Sequence, residues 1–386
     1  MKKRNKISNC IFIALFLILL LIPAAGFDRT QIIDSKTENR RMTTWPGFYP
    51  DGSKNTVYEY YVQDRVAFRE PVVALYGNVI YHVFGEFTEN LHMYGKDGEI
   101  FPANKEYIAA YQHLATDEEL IDDLAGWLSR TKVYLDGQGI PFVFIMGLDK
   151  KTVCSNAMPD SIRVDESRDS IPQYLSKRLD EESVPYVIPV EEFRSTMQEG
   201  RIYNRIYDTA HWNADGAYLG MQLLNDRIRQ LETDAGRQDV LPAMKKSWFK
   251  VKTKEYPLEN SFLDIREEVP IHKLKKKFKN SLTQEEGLLE QVPYMEGVYL
   301  QHFISEKAKS NQTLLIFGDS FIRERTDYLM PQYHDIYSVG RQNYKYLQTY
   351  VEIWHPDVVV FEVAERAFVD DLYNYTELKD LYYSEE

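Results

Sequence analysis

Hydrophobic positions along this chain follow two periods. Short apolar runs occupy 141–147, 313–318, 335–339 and 357–363, and longer stretches with apolar residues three and four apart lie between them. Runs this short and this apolar predict strands covered on both faces, as in a parallel sheet. A further run at 184–190 carries prolines near its ends, which predicts an edge strand. Thr116 as N-cap, with Glu118 and Glu119 in the first turn, predicts a helix over 116–138. Helices are also predicted from Asp64 to about Val83, over 170–182, over 342–354 and after 363, and a long one is marked by Ala217, Met221, Leu224, Ile228 and Leu231. Asp97-Gly98 between two β-prone pieces predicts a hairpin over 95–101. Strands alternating with helices give an α/β fold of three layers around a mainly parallel central sheet.

The N-terminus changes the picture of where this fold resides. Lys2, Lys3, Arg4 and Lys6 precede an apolar run from Cys10 to about Phe27. Basic residues before such a run place it with the N-terminus inside and the remainder outside. A cleaved signal and an uncleaved anchor compete for residues 1–27. Ala24-Ala25-Gly26 suits cleavage, while the length of the run and Pro23 favour an anchor. The remainder, 28–386, then forms one extracytoplasmic domain, bacterial in character and with polar, turn-rich residues 28–60 wrapping over it. Its one cysteine, Cys154, excludes an internal disulfide and reads as a small buried hydrophobe.

The formal net charge is −13, and the basic N-terminus makes the rest more acidic still. That balance argues against nucleic acid and against tight binding of anionic polymers. One segment departs from it. Residues 243–280 hold the lysine-rich pieces 244–254 and 272–279, and about 243–300 reads as an insertion with a charged surface, facing solvent, a membrane surface or an acidic glycan. The chain is rich in aromatic residues, with 28 Tyr, 19 Phe and 5 Trp, whose faces suit packing and stacking on sugar rings.

Two segments carry candidate chemistry. The run 313–318 leads straight into Asp319-Ser320-Phe321. A serine on a turn between strand and helix exposes its hydroxyl beside free backbone N–H groups, which an acyl-transfer nucleophile requires. The second segment is Asp208-Thr209-Ala210-His211-Trp212-Asn213. Its imidazole suits the role of base, and its carboxylate suits the orientation of that imidazole. The other seven histidines lack such a local partner; Asp335 beside His334 faces the other way if both lie on a strand. Arg341 and Lys150 each end a strand on the same sheet edge as Ser320. Arg341 reads either as a surface salt bridge or as a charge for the oxyanion or a glycan hydroxyl, and Lys150 as a structural ion pair. No cofactor or metal site is indicated by these motifs.

The same residues carry a resemblance. Glu38-Asn39-Arg40, Trp45-Pro46, Asp64 through Arg69, Gly95-Lys96-Asp97-Gly98, Lys150, Asp208…His211-Trp212-Asn213…Gly216, Gly318-Asp319-Ser320-Phe321, Pro356-Asp357 and Glu365-Arg366 resemble landmarks of the SGNH-hydrolase-like bacterial exopolysaccharide O-acetyltransferases, of the alginate O-acetylation type, and of their relatives named for an Asp-His-His-Trp motif. The order, Asp/His before Ser, is the permuted order of that group. Two residues separate Asp208 from His211, where the family usually has one. The resemblance implies an SGNH-hydrolase-like fold and transfer of acetyl groups onto a cell-surface or secreted polysaccharide by Ser320, His211 and Asp208, with Arg341 toward substrate or oxyanion. It also implies a membrane-bound O-acyltransferase partner as donor relay. A polysaccharide deacetylase or esterase would use the same acyl-enzyme. A non-catalytic polysaccharide-binding or assembly protein with a relic triad is the reading from another class.

Overall fold

The structure, a computed structural model, describes residues 9–18, 34–35, 40–43, 58–64, 69–88, 91–259, 261, 263–278, 282–283, 292–323, 325–369 and 378–383. The chain divides into two compact units, Met1–Leu91 with Pro257–Arg266, and His92–Tyr256 with Glu267–Glu386.

In the first unit residues 9–18 are helical and their apolar side chains, Phe12 and Leu15 among them, are exposed. The rest of the segment expected to act as anchor or signal lies outside the described residues. Among the described residues no helix is long and apolar enough to cross a membrane. The helix expected from Asp64 to Val83 runs from Arg69 to Phe84, after a shorter one at Tyr58–Asp64. Most of the stretch expected to wrap over the domain, 28–60, also lies outside the described residues.

The second unit holds the predicted sheet. Its strands are β1 (His92–Tyr94) and β2 (Ile100–Pro102), β3 (Phe142–Gly147), β4 (Tyr186–Val187), β5 (Phe249–Pro257) and β6 (Arg266–Leu274), β7 (Leu282–Thr283), β8 (Leu300–Ile304), β9 (Thr313–Gly318), β10 (Asp335–Gly340) and β11 (Val358–Ala364). Seven of them make the central sheet in the order β4-β3-β11-β9-β10-β8-β7. The first five in that order run parallel; β8 and β7 are antiparallel. Every residue of β3 and β11 is buried, as strands covered on both faces must be. Helices α1 (Glu118–Gly137) and α4 (Ala214–Asp234) both pack on β3, and α2 (Ile171–Glu181) packs on α1. The hairpin β1–β2 closes through Lys96–Gly98, with Asp97 at φ +55 and Gly98 at φ +75.

Several expectations shift in detail. The cap of α1 is Asp117, whose carboxylate accepts from Leu120 N–H at 3.0 Å; Thr116 donates instead to the Asp169 carbonyl. The edge strand shrinks to two residues because Val190 already opens the helix α3 (Val190–Glu199). The stretch 342–354 begins as a tight 3-10 turn over Arg341–Tyr346 and becomes α-helical only at Leu347–Trp354. Beyond β11, where a last helix was expected, the described residues form 3-10 turns at Glu365–Phe368 and Leu378–Asp380. The segment read as an insertion, about 243–300, contributes strands to two sheets. The β5–β6 pair stands apart as its own two-stranded sheet, whereas β7 and β8 complete the central sheet. Lysine-rich sequence hid the first of these and the lack of period-2 alternation the second.

Candidate active site

Four parallel strands end along one edge of the sheet. β3 delivers Asp149, Lys150 and Lys151, β9 delivers Asp319 and Ser320, β10 delivers Arg341, and β11 delivers Glu365 and Arg366. In open α/β sheets this carboxyl edge is where ligands bind.

Asp208 and His211 reach the same edge from a loop. Asp208 has φ +46, a left-handed conformation that Asp tolerates better than most residues. The chain then turns so that Asp208 Oδ1 accepts from the backbone N–H of His211 at 3.0 Å, and the same oxygen lies 2.8 Å from His211 Nδ1. The two intervening residues, Thr209 and Ala210, are therefore what close an Asp-led turn around its own carboxylate. Lys150 N–H donates to the Ala210 carbonyl at 3.1 Å, which fastens the turn to the end of β3. Past His211 the loop is pinned again. Asn213 caps α4 by accepting from Asp215 and Gly216 N–H, and its side-chain amide donates to the Arg201 carbonyl. Gly216 permits this approach, since a Cβ there would lie 2.3 Å from the Ile202 carbonyl oxygen.

His211 Nε2 lies 2.9 Å from Ser320 Oγ. Asp208, His211 and Ser320 thus form one continuous chain of hydrogen bonds, with Nδ1–H donating to the carboxylate and Nε2 facing the serine in the tautomer that this pairing requires. The imidazole packs on Phe321, ring centroids 4.7 Å apart, and Trp212 meets the same ring edge-on. Burial works against the Asp208 carboxylate, but its hydrogen bond with His211 and the charge of Arg366 outweigh this and hold its pKa below the usual range. Among the described residues the backbone N–H of Ser320 meets no acceptor, which leaves it as a donor for a developing oxyanion.

The floor under Ser320 is built from charge. Asp319 Oδ1 accepts from Phe321 N–H and its Oδ2 from Ala364 N–H, so this carboxylate ties the turn after β9 to the end of β11. Arg341 was expected at the strand end with its charge available to solvent or substrate. It is 1% exposed, and its Nε donates to Asp319 Oδ2 at 3.2 Å. Glu362, in the middle of β11, is wholly buried and accepts from Asp319 N–H at 2.7 Å. Burial and the neighbouring Asp319 charge push the Glu362 carboxyl well above the usual range.

A second ionic cluster adjoins. Lys151 Nζ lies 2.8 Å from both Asp149 and Glu365, and Arg366 lies 2.7 Å from Asp149 and over the face of Phe321. Burial opposes the Asp149 charge, and the cations of Arg366 and Lys151 more than restore it. Lys150 takes the structural role expected of it. It is wholly buried, paired with Glu99 at 2.8 Å, and donates to the carbonyls of Ile100 and Arg205. Cys154 is buried beside it, and burial pushes its thiol up to about 11. The sequence singled out neither Glu362 nor Lys151; a lone acid inside Val358-Val-Val-Phe-Glu-Val363 was the available signal for the former. His334 lies just before β10, so its Nδ1 does meet Asp335, at 2.5 Å, and His302 takes the other oxygen at 2.7 Å; this cluster sits at the strand's opposite end from Ser320.

No protein-family model and no curated protein matches the sequence. Solved structures do match in fold. PatB1 of Bacillus cereus superposes with a TM-score of 0.53 at 14% identity, across 74% of this chain and 99% of that one. PatB1 with a sulfonyl adduct gives 0.50 at 16% identity, across 76% and 100%. The O-acetyltransferase domain of Pseudomonas putida AlgJ gives 0.45 at 14% identity, across 75% and 98%. The chain therefore shares with PatB1 an α/β fold built on a mainly parallel central sheet.

Proposed function

We propose that this protein is an extracytoplasmic O-acyltransferase that moves an acetyl group onto a hydroxyl of a cell-surface or secreted polysaccharide. The observation that carries the reading is the hydrogen-bonded series Asp208–His211–Ser320 at the carboxyl edge of the sheet. Ser320 Oγ attacks the acyl carbonyl of the donor while its proton passes to His211 Nε2. Asp208 stabilises the imidazolium that results. The tetrahedral oxyanion is met by the Ser320 N–H. Collapse expels the donor's leaving group, which takes the proton from Nε2, and leaves an ester on Ser320. An acceptor hydroxyl then gives its proton to Nε2 and attacks that ester, and Ser320 departs with the proton restored.

The sugar acceptor and the donor, a membrane-bound O-acyltransferase, follow from the motif resemblance, as does attachment through the N-terminal apolar run. Hydrolysis differs from transfer only in the acceptor. The test is covalent labelling of Ser320 by a sulfonyl fluoride, followed by delivery of acetyl from p-nitrophenyl acetate to oligosaccharides or to water. Labelling of Ser320 with acetylated oligosaccharide as product supports the reading. Release of acetate from acetylated polymer with no transfer makes the protein a deacetylase. Absence of both labelling and turnover makes the triad a relic.

A further inference from the structure

A cavity adjoins the triad at Asp208, and neither His211 nor Ser320 lines it. It has a volume of about 180 Å³, and Asp208 forms part of its wall. The β5–β6 pair supplies the facing wall through Tyr256 and 269–272. Tyr207 and Tyr256 stack on one another there, centroids 4.7 Å apart and planes within 19°. Lys254 sits over the Tyr256 ring at 4.4 Å. His272 also lines the cavity. Its side chain is wholly buried; Nε2 meets Asp215 at 3.0 Å, while Nδ1 has no hydrogen-bond partner. Arg325 also lines the cavity.

A buried ring nitrogen without a partner costs stability unless something fills the role. With Nε2 committed to the Asp215 carboxylate, Nδ1 is left to meet a ligand hydroxyl, which can donate or accept. Arg325 is a donor only, and so matches a ligand oxygen. An aromatic pair beside an unpartnered ring nitrogen and a guanidinium is the recognition chemistry of a pyranose, which offers a C–H face and hydroxyls that both donate and accept. A lipid tail would leave Nδ1 unpaired.

The position gives the cavity its role. Asp208 is shared between its wall and the triad, so a sugar lodged there lies one imidazole away from Ser320. We infer that this cavity binds the pyranose residue adjacent to the one being acylated, and so selects oligomeric over monomeric acceptors. The inference rests on the transferase reading for what happens at Ser320, but not for the binding itself.

The test uses the full chain and tetramers of β-1,4-linked glucose and N-acetylglucosamine, with the matching monosaccharides as comparison. Dissociation constants are measured by calorimetry for the wild type, Tyr256→Ala, His272→Gln and Arg325→Gln. Losing the Tyr256 ring is expected to weaken tetramer binding about tenfold. His272→Gln is expected to cost a similar factor, and monosaccharides to bind far more weakly in every case. Sulfonyl fluoride labelling of Ser320 is followed in parallel on the same samples. Tetramers that bind the wild type and all three variants equally, or none of them, overturn the subsite whatever the labelling shows. Labelling that fails while Tyr256→Ala still loses tetramer affinity upholds the subsite and rejects the transferase. Unfolding of His272→Gln is checked by circular dichroism; Tyr256 is surface-accessible, so its variant decides the matter if His272→Gln does not fold.

Discussion

Arg341 Nε lies 3.2 Å from Asp319 Oδ2, and the same carboxylate accepts the backbone N–H groups of Phe321 and Ala364. The guanidinium therefore acts on the turn that presents Ser320, through the residue just before it. An arginine read from the sequence as either a surface salt bridge or a charge for the oxyanion or a glycan hydroxyl is buried, and it pairs with the carboxylate of the residue before Ser320.

Arg341→Ala should accordingly reduce hydrolysis of p-nitrophenyl acetate and acyl transfer to an oligosaccharide by the same factor. It removes one partner of a buried pair, so the thermal midpoint should fall with a loss of about 3–5 kcal/mol. Arg341→Lys, which keeps the charge but not the planar donor, should recover part of both. A loss confined to glycan transfer would return Arg341 to the acceptor site.

The triad predicts a non-additive series. Ser320→Ala and His211→Ala should each lower ester turnover by about 10⁶, and the double variant by no more than either alone. Asp208→Asn should cost less, about 10⁴, because it spoils the tautomer and the imidazolium but leaves the serine in place. The relevant measurement is kcat/KM on p-nitrophenyl acetate for all four proteins, with circular dichroism to show that they fold. Losses that multiply in the double variant would mean that the two residues act separately.

Much of this was legible because strands and turns announce themselves locally. The apolar runs that became β3, β9, β10 and β11 required no knowledge of the rest of the chain. Ser320 and the Asp208–His211 pair stood out for the same reason, each within a few residues of sequence. What escaped was non-local. Glu362 is separated by 43 residues from the N–H it accepts, and Lys151 by more than 200 from Glu365. Arg341 looked exposed because a charged residue after a strand usually is; the Asp319 carboxylate that draws it inward belongs to a different βα turn. The β7 and β8 strands escaped because they lack period-2 alternation and because they pair antiparallel on a sheet otherwise read as parallel.

The N-terminal run predicts topology. Basic residues before it and an apolar stretch after them should hold the protein at the membrane with Ser320 outside. In cells, the chain should resist extraction at alkaline pH, and protease added to spheroplasts should digest the catalytic unit. A shortened protein in the culture medium, with a new N-terminus near residue 26, would identify the run as a cleaved signal instead.

Glu362 predicts a pH dependence of stability whose sign differs from that of most carboxylates. Its ordinary value is 4.5, and burial followed by the charge of Asp319 raises it well above that in the folded chain. Between these two values the folded state holds a proton that the unfolded state has released, so stability falls as pH rises through that window. The slope from one such group reaches about 1.4 kcal/mol per pH unit. Asp208 runs the other way: its lowered value contributes stability above its ordinary 3.8, lost as pH falls through the folded value. The two are separable because their windows lie on opposite sides of pH 4. Glu362→Gln keeps an oxygen for the Asp319 N–H and has no proton to lose. Urea denaturation at pH 5 and pH 8 should show the wild type losing stability over that interval relative to Glu362→Gln, while the variant retains esterase activity because the turn that carries Ser320 is still held. Parallel curves for the two proteins would mean that Glu362 is ionised in the fold, and a Gln variant stable but inactive would mean that the proton itself, and not only the hydrogen bond to Asp319, is needed at the nucleophile.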